Sequence, residues 1–175
     1  MTYSKLVKLE EKYPDLLKRK EKSLMPFDLF GIECGDGWYV LLDIAFNRIN
    51  KYNNNPPLVP AKLNKIKIKI HNFIFPVVRR MPPPIKRFVW KFLEVKYYPS
   101  KTHVKIKIDQ VKEKFGGLRL YVEHDTPYIA GVVAFAEEMS YKICEHCGTT
   151  VGVTQNQKGW IKSLCATCHT NRREK

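Results

Sequence analysis

Acidic residues are scarce in this chain of 175 residues. There are 17 Asp and Glu against 31 Lys and Arg, which gives a formal net charge of +14. Residues 58–101 contain eleven Lys and Arg and one acid, Glu94, so this segment alone carries +10. Such a field attracts polyanions such as nucleic acid, nucleotides, acidic proteins or an anionic membrane. The alternative interpretation is a solvated cationic surface without a ligand.

Long hydrophobic runs are also missing. No apolar run approaches the roughly 18 residues that a membrane-spanning helix needs. The first residues alternate Lys and Glu with apolar residues and lack the apolar region of a signal peptide. We therefore expect a cytoplasmic protein. With 44% hydrophobic residues, the chain can still build a core.

Common catalytic signatures are absent too. The sequence contains no G-x-x-x-x-G-K-[ST], no H-E-x-x-H and no G-x-S-x-G. Glu94 and Lys96 match the E-x-K of metal-dependent nucleases, but no well-placed upstream Asp accompanies them. We expect a protein that is not an enzyme, with a nuclease as the weaker alternative.

Helical periodicity is clearest after Asp36, the candidate N-cap residue. The apolar positions there follow the i, i+3, i+4, i+7 spacing of a helix with one buried face: Trp38, Leu41, Leu42, Ala45, Phe46 and Ile49. Pro56 and Pro57 stop this helix. An earlier helical stretch is divided at Pro14.

Strand signals come later. Residues 65–70 alternate Lys and Ile, which predicts a half-buried strand after a linker at 58–64. Residues 104–111 and 118–123 predict two antiparallel strands. Gly116 and Gly117 would form the hairpin turn between them.

Thr126 and Pro127 then predict a helix start, and its buried stripe is Ile129, Val132, Val133, Ala136 and Met139. The predicted fold is α+β, a small antiparallel sheet covered by helices and followed by a four-cysteine module. The predicted divisions are a helical N-terminal segment at 1–57, a basic insertion at 58–101, a hairpin and helix at 102–143 that complete the domain of 1–57, and a zinc module at 144–175.

Four of the five cysteines form two C-x2-C pairs, Cys144 with Cys147 and Cys165 with Cys168. Each pair places two sulfurs on one side of a tight turn, and two pairs supply the tetrahedral thiolate cage that Zn²⁺ favours. The spacing predicts one structural zinc in a zinc-ribbon or treble-clef module. Disulfides and redox sensing are weaker interpretations, because no secretion signal is present.

His146 and His169 lie beside these cysteines and could replace one ligand, although we expect exposed neighbours. Cys34 has no partner in the sequence pattern. It could be a nucleophile, but a small buried residue near the helix start is the simpler interpretation.

Three blocks of the sequence stand out: C-G-D-G-W, K-E-K-F-G-G-L-R and the two C-x2-C pairs that flank Gly159 and Trp160. Together they resemble a family of small zinc-finger-like proteins found in phages, prophages and bacteria. The matching positions are Cys34, Gly35, Asp36, Gly37, Trp38, Lys112, Glu113, Lys114, Phe115, Gly116, Gly117, Leu118, Arg119 and the four paired cysteines. The resemblance covers about residues 30–51 and 104–169 and implies zinc binding but no activity. Residues 58–101 depart from it as an enlarged insertion.

Two of these blocks allow a functional interpretation beside the structural one. The candidate pocket for a phosphate-bearing ligand consists of Asp36, Trp38, Lys112, Lys114 and Arg119. In the structural interpretation, Asp36 caps a helix, Trp38 fills the core and the glycines form a turn.

The basic insertion has its own candidate site, in which cations are interleaved with aromatic residues: Arg79, Arg80, Lys86, Arg87, Trp90 and Lys91. Cations neutralise phosphates and aromatic rings stack on unpaired bases, so nucleic acid or a nucleotide is the predicted ligand. We predict a helix at 85–93 with Ile85, Phe88, Val89, Phe92 and Leu93 buried. Peripheral contact with an anionic membrane stays open. A further alternative is that the chain is a phage-type protein that inhibits a host factor by protein–protein contact.

Overall fold

The computed structural model describes residues 1–17, 26–60, 62–92, 97–100, 103–156 and 159–173. Its helices are α1 (Tyr3–Lys12), α2 (Pro14–Leu17), α3 (Pro26–Phe30), α4 (Tyr39–Asn54), α5 (Lys62–Val78), α6 (Pro83–Phe92), α7 (Pro127–Ser140) and α8 (Ala166–Arg173). Its strands are β1 (Ile32–Glu33), β2 (Leu58–Pro60), β3 (Tyr97–Pro99), β4 (Ile108–Lys114), β5 (Gly117–Val122), β6 (Val153–Gln155) and β7 (Ser163–Cys165). A 3-10 turn, Asp36–Trp38, precedes α4.

The chain forms two compact units, one of Met1–Asn54 with Val104–Lys175 and one of Asn55–His103. Sheet and helices together confirm the predicted α+β class, including the C-terminal cysteine cluster that fits a zinc-binding module. We call Met1–Asn54 with Val104–Lys175 the first unit and Asn55–His103 the second unit.

The first unit is built on a three-stranded sheet in the order β1-β4-β5. β1 runs parallel to β4, with Ile32 opposite Val111, and β4 pairs with β5 as an antiparallel hairpin. The sheet is therefore mixed, whereas the sequence predicted an antiparallel one. α7 packs against β5 and α4. The largest fully buried side chains here include Trp38, Phe46, Leu9, Leu16, Leu42, Ile49, Ile106, Ile108, Leu118 and Ile129.

The hairpin turn lies one residue earlier than predicted. Phe115 and Gly116 have φ angles of 53° and 75°, the positive values that a two-residue type I′ turn requires. Gly117 instead begins β5, and a Cβ there would lie 2.7 Å from the Tyr141 ring carbon Cε1. The second glycine is thus needed for close packing and not for the turn.

Strand β4 begins at Ile108, later than the predicted residue 104. The reason lies in Asn53, a buried residue of α4. Its side-chain amide donates to the Ile106 carbonyl oxygen and accepts from the Ile106 N–H, both at 2.8 Å. Asn53 thus satisfies the backbone groups that a partner strand would otherwise bond, so Ile106 is buried without belonging to a strand.

The second unit corrects the predictions of a strand at 65–70 and a linker at 58–64. Leu58–Pro60 forms β2, which pairs with β3, and the Lys-Ile alternation lies inside α5. Six alternating residues are too short to distinguish the two periods. Ile66, Ile70, Phe73 and Val77 also follow helical spacing.

Helix α6 confirms the predicted helix but not its predicted buried face. Ile85 is 51% exposed and Phe88 is 75% exposed, while Val89 is half-buried. The side chains of Trp90 and Phe92, and residue 93, lie outside the described residues. Within the described ranges, no helix is both long and apolar enough to cross a membrane.

Candidate metal centre and its supports

The four paired cysteines meet at one point. Cys144 and Cys147 lie in the loop after α7, Cys165 ends β7, and Cys168 lies in the first turn of α8. Their four sulfur atoms all lie within 4.8 Å of one another. The knuckle that carries the first pair is closed by two 2.8 Å backbone hydrogen bonds, from Cys144 to Thr149 and from Gly148 to Cys144. Gly148 has a φ of 83°, which favours glycine.

The spacing of the sulfurs favours a metal over disulfides. Cys147 Sγ and Cys165 Sγ are 3.7 Å apart, whereas a disulfide needs about 2.05 Å. Metal–sulfur bonds of about 2.3 Å in tetrahedral geometry place sulfurs about 3.8 Å apart. The cluster is therefore a plausible site for a tetrahedral metal ion.

The backbone around Cys144 favours a thiolate. Burial acts to raise the pKa of this thiol, but N–H groups of Cys147, Cys165 and His146 hydrogen-bond the sulfur. Together these donors lower the pKa of Cys144, whereas burial and the neighbouring thiols raise the pKa of Cys168. Metal ligation needs deprotonated thiols, and the backbone favours that state at Cys144.

The neighbouring histidines do not replace a cysteine in the cluster. His146 is exposed, and its Nδ1 lies 3.6 Å from Cys168 Sγ. His169 Nε2 lies 3.1 Å from the Thr154 carbonyl oxygen, at the start of the module's β6-β7 hairpin.

The first support of the knuckle is the C-G-D-G-W block. Gly37 donates its N–H to the Glu145 carbonyl oxygen at 2.8 Å, and Gly35 donates to Glu145 Oε1 at 3.0 Å. Trp38, which is fully buried, donates its indole N–H to the Ile143 carbonyl oxygen at 2.9 Å. This block is therefore a platform on which the metal knuckle rests.

The second support is the β4-β5 hairpin. Ser163 donates its hydroxyl to the Gly116 carbonyl oxygen at 2.6 Å, and Trp160 donates its indole N–H to Glu113 Oε2 at 2.7 Å. Lys162 lies between two carboxylates, 3.2 Å from Glu113 and 2.8 Å from Glu145. The K-E-K-F-G-G-L-R block thus binds the metal module to the sheet.

The structure places the five residues of the predicted ligand pocket in different surroundings. Lys112 and Arg119 are cross-strand partners, and Lys114 lies two residues along, so these three share one face of the hairpin. Arg119 donates to the Tyr141 hydroxyl at 2.9 Å. Trp38 has no exposed surface and cannot line a pocket. Asp36 binds the N-terminal segment.

Asp36 was predicted to be the N-cap of α4, and this prediction is wrong, since Gly35 occupies the cap position of the 3-10 turn. The Asp36 carboxylate accepts the Thr2 N–H at 2.7 Å and lies 3.6 Å from Lys5 Nζ. The Thr2 backbone N–H is the main cause that lowers the Asp36 pKa, and Lys5 adds to it. Asp36 therefore fixes the start of the chain to the platform.

Replacing Asp36 by alanine removes its hydrogen bond with Thr2 and its ion pair with Lys5. The free energy of unfolding should fall by only about 1 kcal/mol at neutral pH, because the carboxylate is 29% exposed and partly screened. A lowered pKa stabilises the fold above the unfolded value of about 3.9 and ceases to do so as the pH falls through the folded value. The difference from the parent should therefore shrink below about pH 4. Urea denaturation at several pH values measures it, with Glu138→Ala as the exposed control. A difference that is unchanged at acid pH would contradict the assignment.

Cys34 is buried, and burial raises the pKa of its thiol to about 12. The thiol therefore stays protonated and is a core residue, not a nucleophile.

The predicted polyanion site lies in the second unit. Arg79 and Arg80 are exposed in the turn after α5, Arg87 and Lys91 are exposed on α6, and Lys86 is half-buried. The side chain of Trp90 is not among those described. Glu94 and Lys96, the nuclease-like pair, lie outside the described residues.

A groove of about 990 Å³ lies between α4 and α7 of the first unit. Its walls expose Val40, Ile44 and Phe135, and its lining also includes Cys147 and Gly148 of the knuckle. No pattern in the sequence indicated this groove, because it depends on how the two helices pack.

The sequence analysis also did not predict which residues support the knuckle. Glu145 is 4% exposed and binds both Gly35 and Lys162. A charged residue inside a C-x2-C spacer, next to a ligand that must be buried, was the available signal. Tyr141, which packs on Gly117 and Arg119, gave none.

Comparison of the chain with protein-family models, curated proteins and solved structures finds no match. The resemblance to phage and bacterial zinc-finger-like proteins therefore stays an expectation. The chain is an α+β protein with four cysteines that could hold a metal ion.

Proposed function

We propose that this chain is a non-enzymatic, zinc-stabilised binding protein whose second unit presents a basic surface to a polyanion in the cytoplasm. Nucleic acid and nucleotides are the polyanions that the sequence favours. One observation carries the proposal: Arg79, Arg80, Arg87 and Lys91 are exposed in a segment, 55–103, whose sequence has Glu94 as its only acid. Cations that are not balanced by acids nearby raise the local concentration of anionic partners.

Zinc is the proposed metal because four thiolates in a closed tetrahedral set leave no coordination position for a substrate. Iron also accepts four thiolates, so elemental analysis decides between them. In this proposal the metal holds the module on its two supports, and the binding chemistry belongs to the second unit.

Reversing Arg79, Arg80 and Arg87 to glutamate should weaken binding of a single-stranded oligonucleotide at least about tenfold. Each lost phosphate contact removes roughly 0.7 from the slope of log affinity against log salt, so the slope should fall by about 2. Fluorescence anisotropy at several salt concentrations measures both quantities, for an oligonucleotide, for heparin and for ATP.

The matched control reverses Lys8, Arg48 and Lys142, three exposed cations of the first unit. Each set lowers the net charge from +14 to +8, since every reversal removes two charges. If both variants lose affinity equally, net charge and not the second unit is responsible. If the parent binds no polyanion at low salt, the proposal fails.

The groove between α4 and α7 favours a second candidate, contact with another protein, as in the predicted phage-type inhibitor of a host factor. Exposed Val40, Ile44 and Phe135 would make such a contact apolar. A complex formed there would tolerate salt, whereas polyanion binding would not.

A further inference from the structure

Helix α5 is apolar on two sides. One side contains Val78, which is buried, and Ile74, which is half-buried. A second stripe is spaced at i, i+4, i+7 and i+11 and is exposed: Ile66 at 59%, Ile70 at 45%, Phe73 at 86% and Val77 at 60%. At about 100° per residue, these four positions fall within an arc of about 60°. The exposed stripe is therefore additional to the side that packs within the chain.

Helix α6 exposes apolar side chains as well, since Ile85 and Phe88 are also largely exposed. We give the name α5–α6 apolar surface to six exposed apolar side chains of the two helices: Ile66, Ile70, Phe73, Val77, Ile85 and Phe88. Phe75 is 44% exposed but lies on another side of α5 and is not included. Arg79 and Arg80 lie in the short turn between the helices, and Arg87 and Lys91 follow on α6. Apolar side chains and cations therefore alternate along the chain from α5 to α6.

We propose that the α5–α6 apolar surface inserts into the interface of an anionic lipid bilayer, with the neighbouring cations on the lipid phosphates. This rests on the proposed function, because it names the polyanion that the basic surface meets. An amphipathic helix of this composition binds in the plane of the interface. Such a helix does not need the length of a membrane span.

The aliphatic side chains of the surface favour lipid over nucleic acid. Phe73 and Phe88 could stack on bases, but Ile66, Ile70 and Val77 have no π face and gain nothing from that contact. Acyl chains cover aliphatic and aromatic side chains equally. A second copy of this chain is disfavoured, because it would bring two segments of +10 together.

The test is flotation of the full chain with two kinds of vesicle, one of phosphatidylcholine and one that also contains about 30% phosphatidylglycerol. We expect binding to the anionic vesicles alone. The double variant Phe73→Ser/Phe88→Ser should lower the partition coefficient at least about tenfold. Its charge equals that of the parent, so its affinity for heparin should be unchanged.

The matched control is Phe30→Ser/Phe135→Ser, since these rings are 63% and 65% exposed in the first unit. It should bind anionic vesicles like the parent. The lipid inference is overturned if the Phe73 and Phe88 variant floats like the parent, or if vesicles are not bound while heparin is. If that variant instead loses oligonucleotide affinity, the surface stacks on bases, and the polyanion proposal survives without lipid. Absence of binding to vesicles, heparin and oligonucleotide overturns both.

Discussion

Replacing Cys144 by serine is expected to abolish binding of the proposed zinc and to unfold the C-terminal module. The four sulfurs lie within 4.8 Å of one another and together form the ligand set. After the substitution only three thiolates remain, and they cannot hold a tetrahedral ion tightly. Structural zinc sites contribute on the order of 10 kcal/mol at neutral pH, which is comparable to the whole stability of a domain. Because Glu145 and Ile143 anchor the module to Gly35, Gly37 and Trp38, the first unit should also lose stability.

Elemental analysis and circular dichroism measure the two effects. The parent should contain about one zinc per chain, and the Cys144→Ser variant about a tenth of that or less. Cys34→Ser is the control, because Cys34 is buried but lies outside the cluster. It should lose some stability and keep its metal. A parent that contains neither zinc nor iron, or a Cys144 variant that retains its metal, would contradict the metal site.

Replacing Gly37 by alanine should be the most damaging change outside the cysteines. A Cβ on Gly37 would overlap the Cys144 carbonyl oxygen and lie 2.5 Å from the Gly148 nitrogen. These are backbone atoms of the metal knuckle, which cannot rotate away as a side chain could. We expect a loss of roughly 3 kcal/mol or more, beyond ordinary overpacking, together with weaker metal binding.

Gly131→Ala is the matched control, because its Cβ would meet nothing within 4 Å on the surface of α7. Alanine has the higher helix propensity, so this variant should gain roughly 0.5–1 kcal/mol. The midpoints of urea denaturation compare the two variants. Equal midpoints for Gly37→Ala and the parent would show that the knuckle does not rest on this platform.

The features that the sequence alone determined depend on residues close together in the chain. They are the two C-x2-C pairs, the helix after Trp38 and the N-cap at Thr126, whose hydroxyl accepts the Ile129 N–H. Spacing of 3.6 residues or two C-x2-C turns is sufficient to predict them.

Tertiary structure decided what depends on distant partners. The sequence of residues 65–70 fits both a strand and a helix. The strand that pairs with β3 is β2, so residues 65–70 are not needed for that sheet. The sequence predicts Asp36 as a helix N-cap. In the structure its carboxylate instead accepts the Thr2 N–H and pairs with Lys5, more than thirty residues earlier in the chain. Gly37 has its role only because Glu145, more than a hundred residues later, packs against it. A single sequence carries no signal for such contacts, since their free energy depends on groups that only folding brings together.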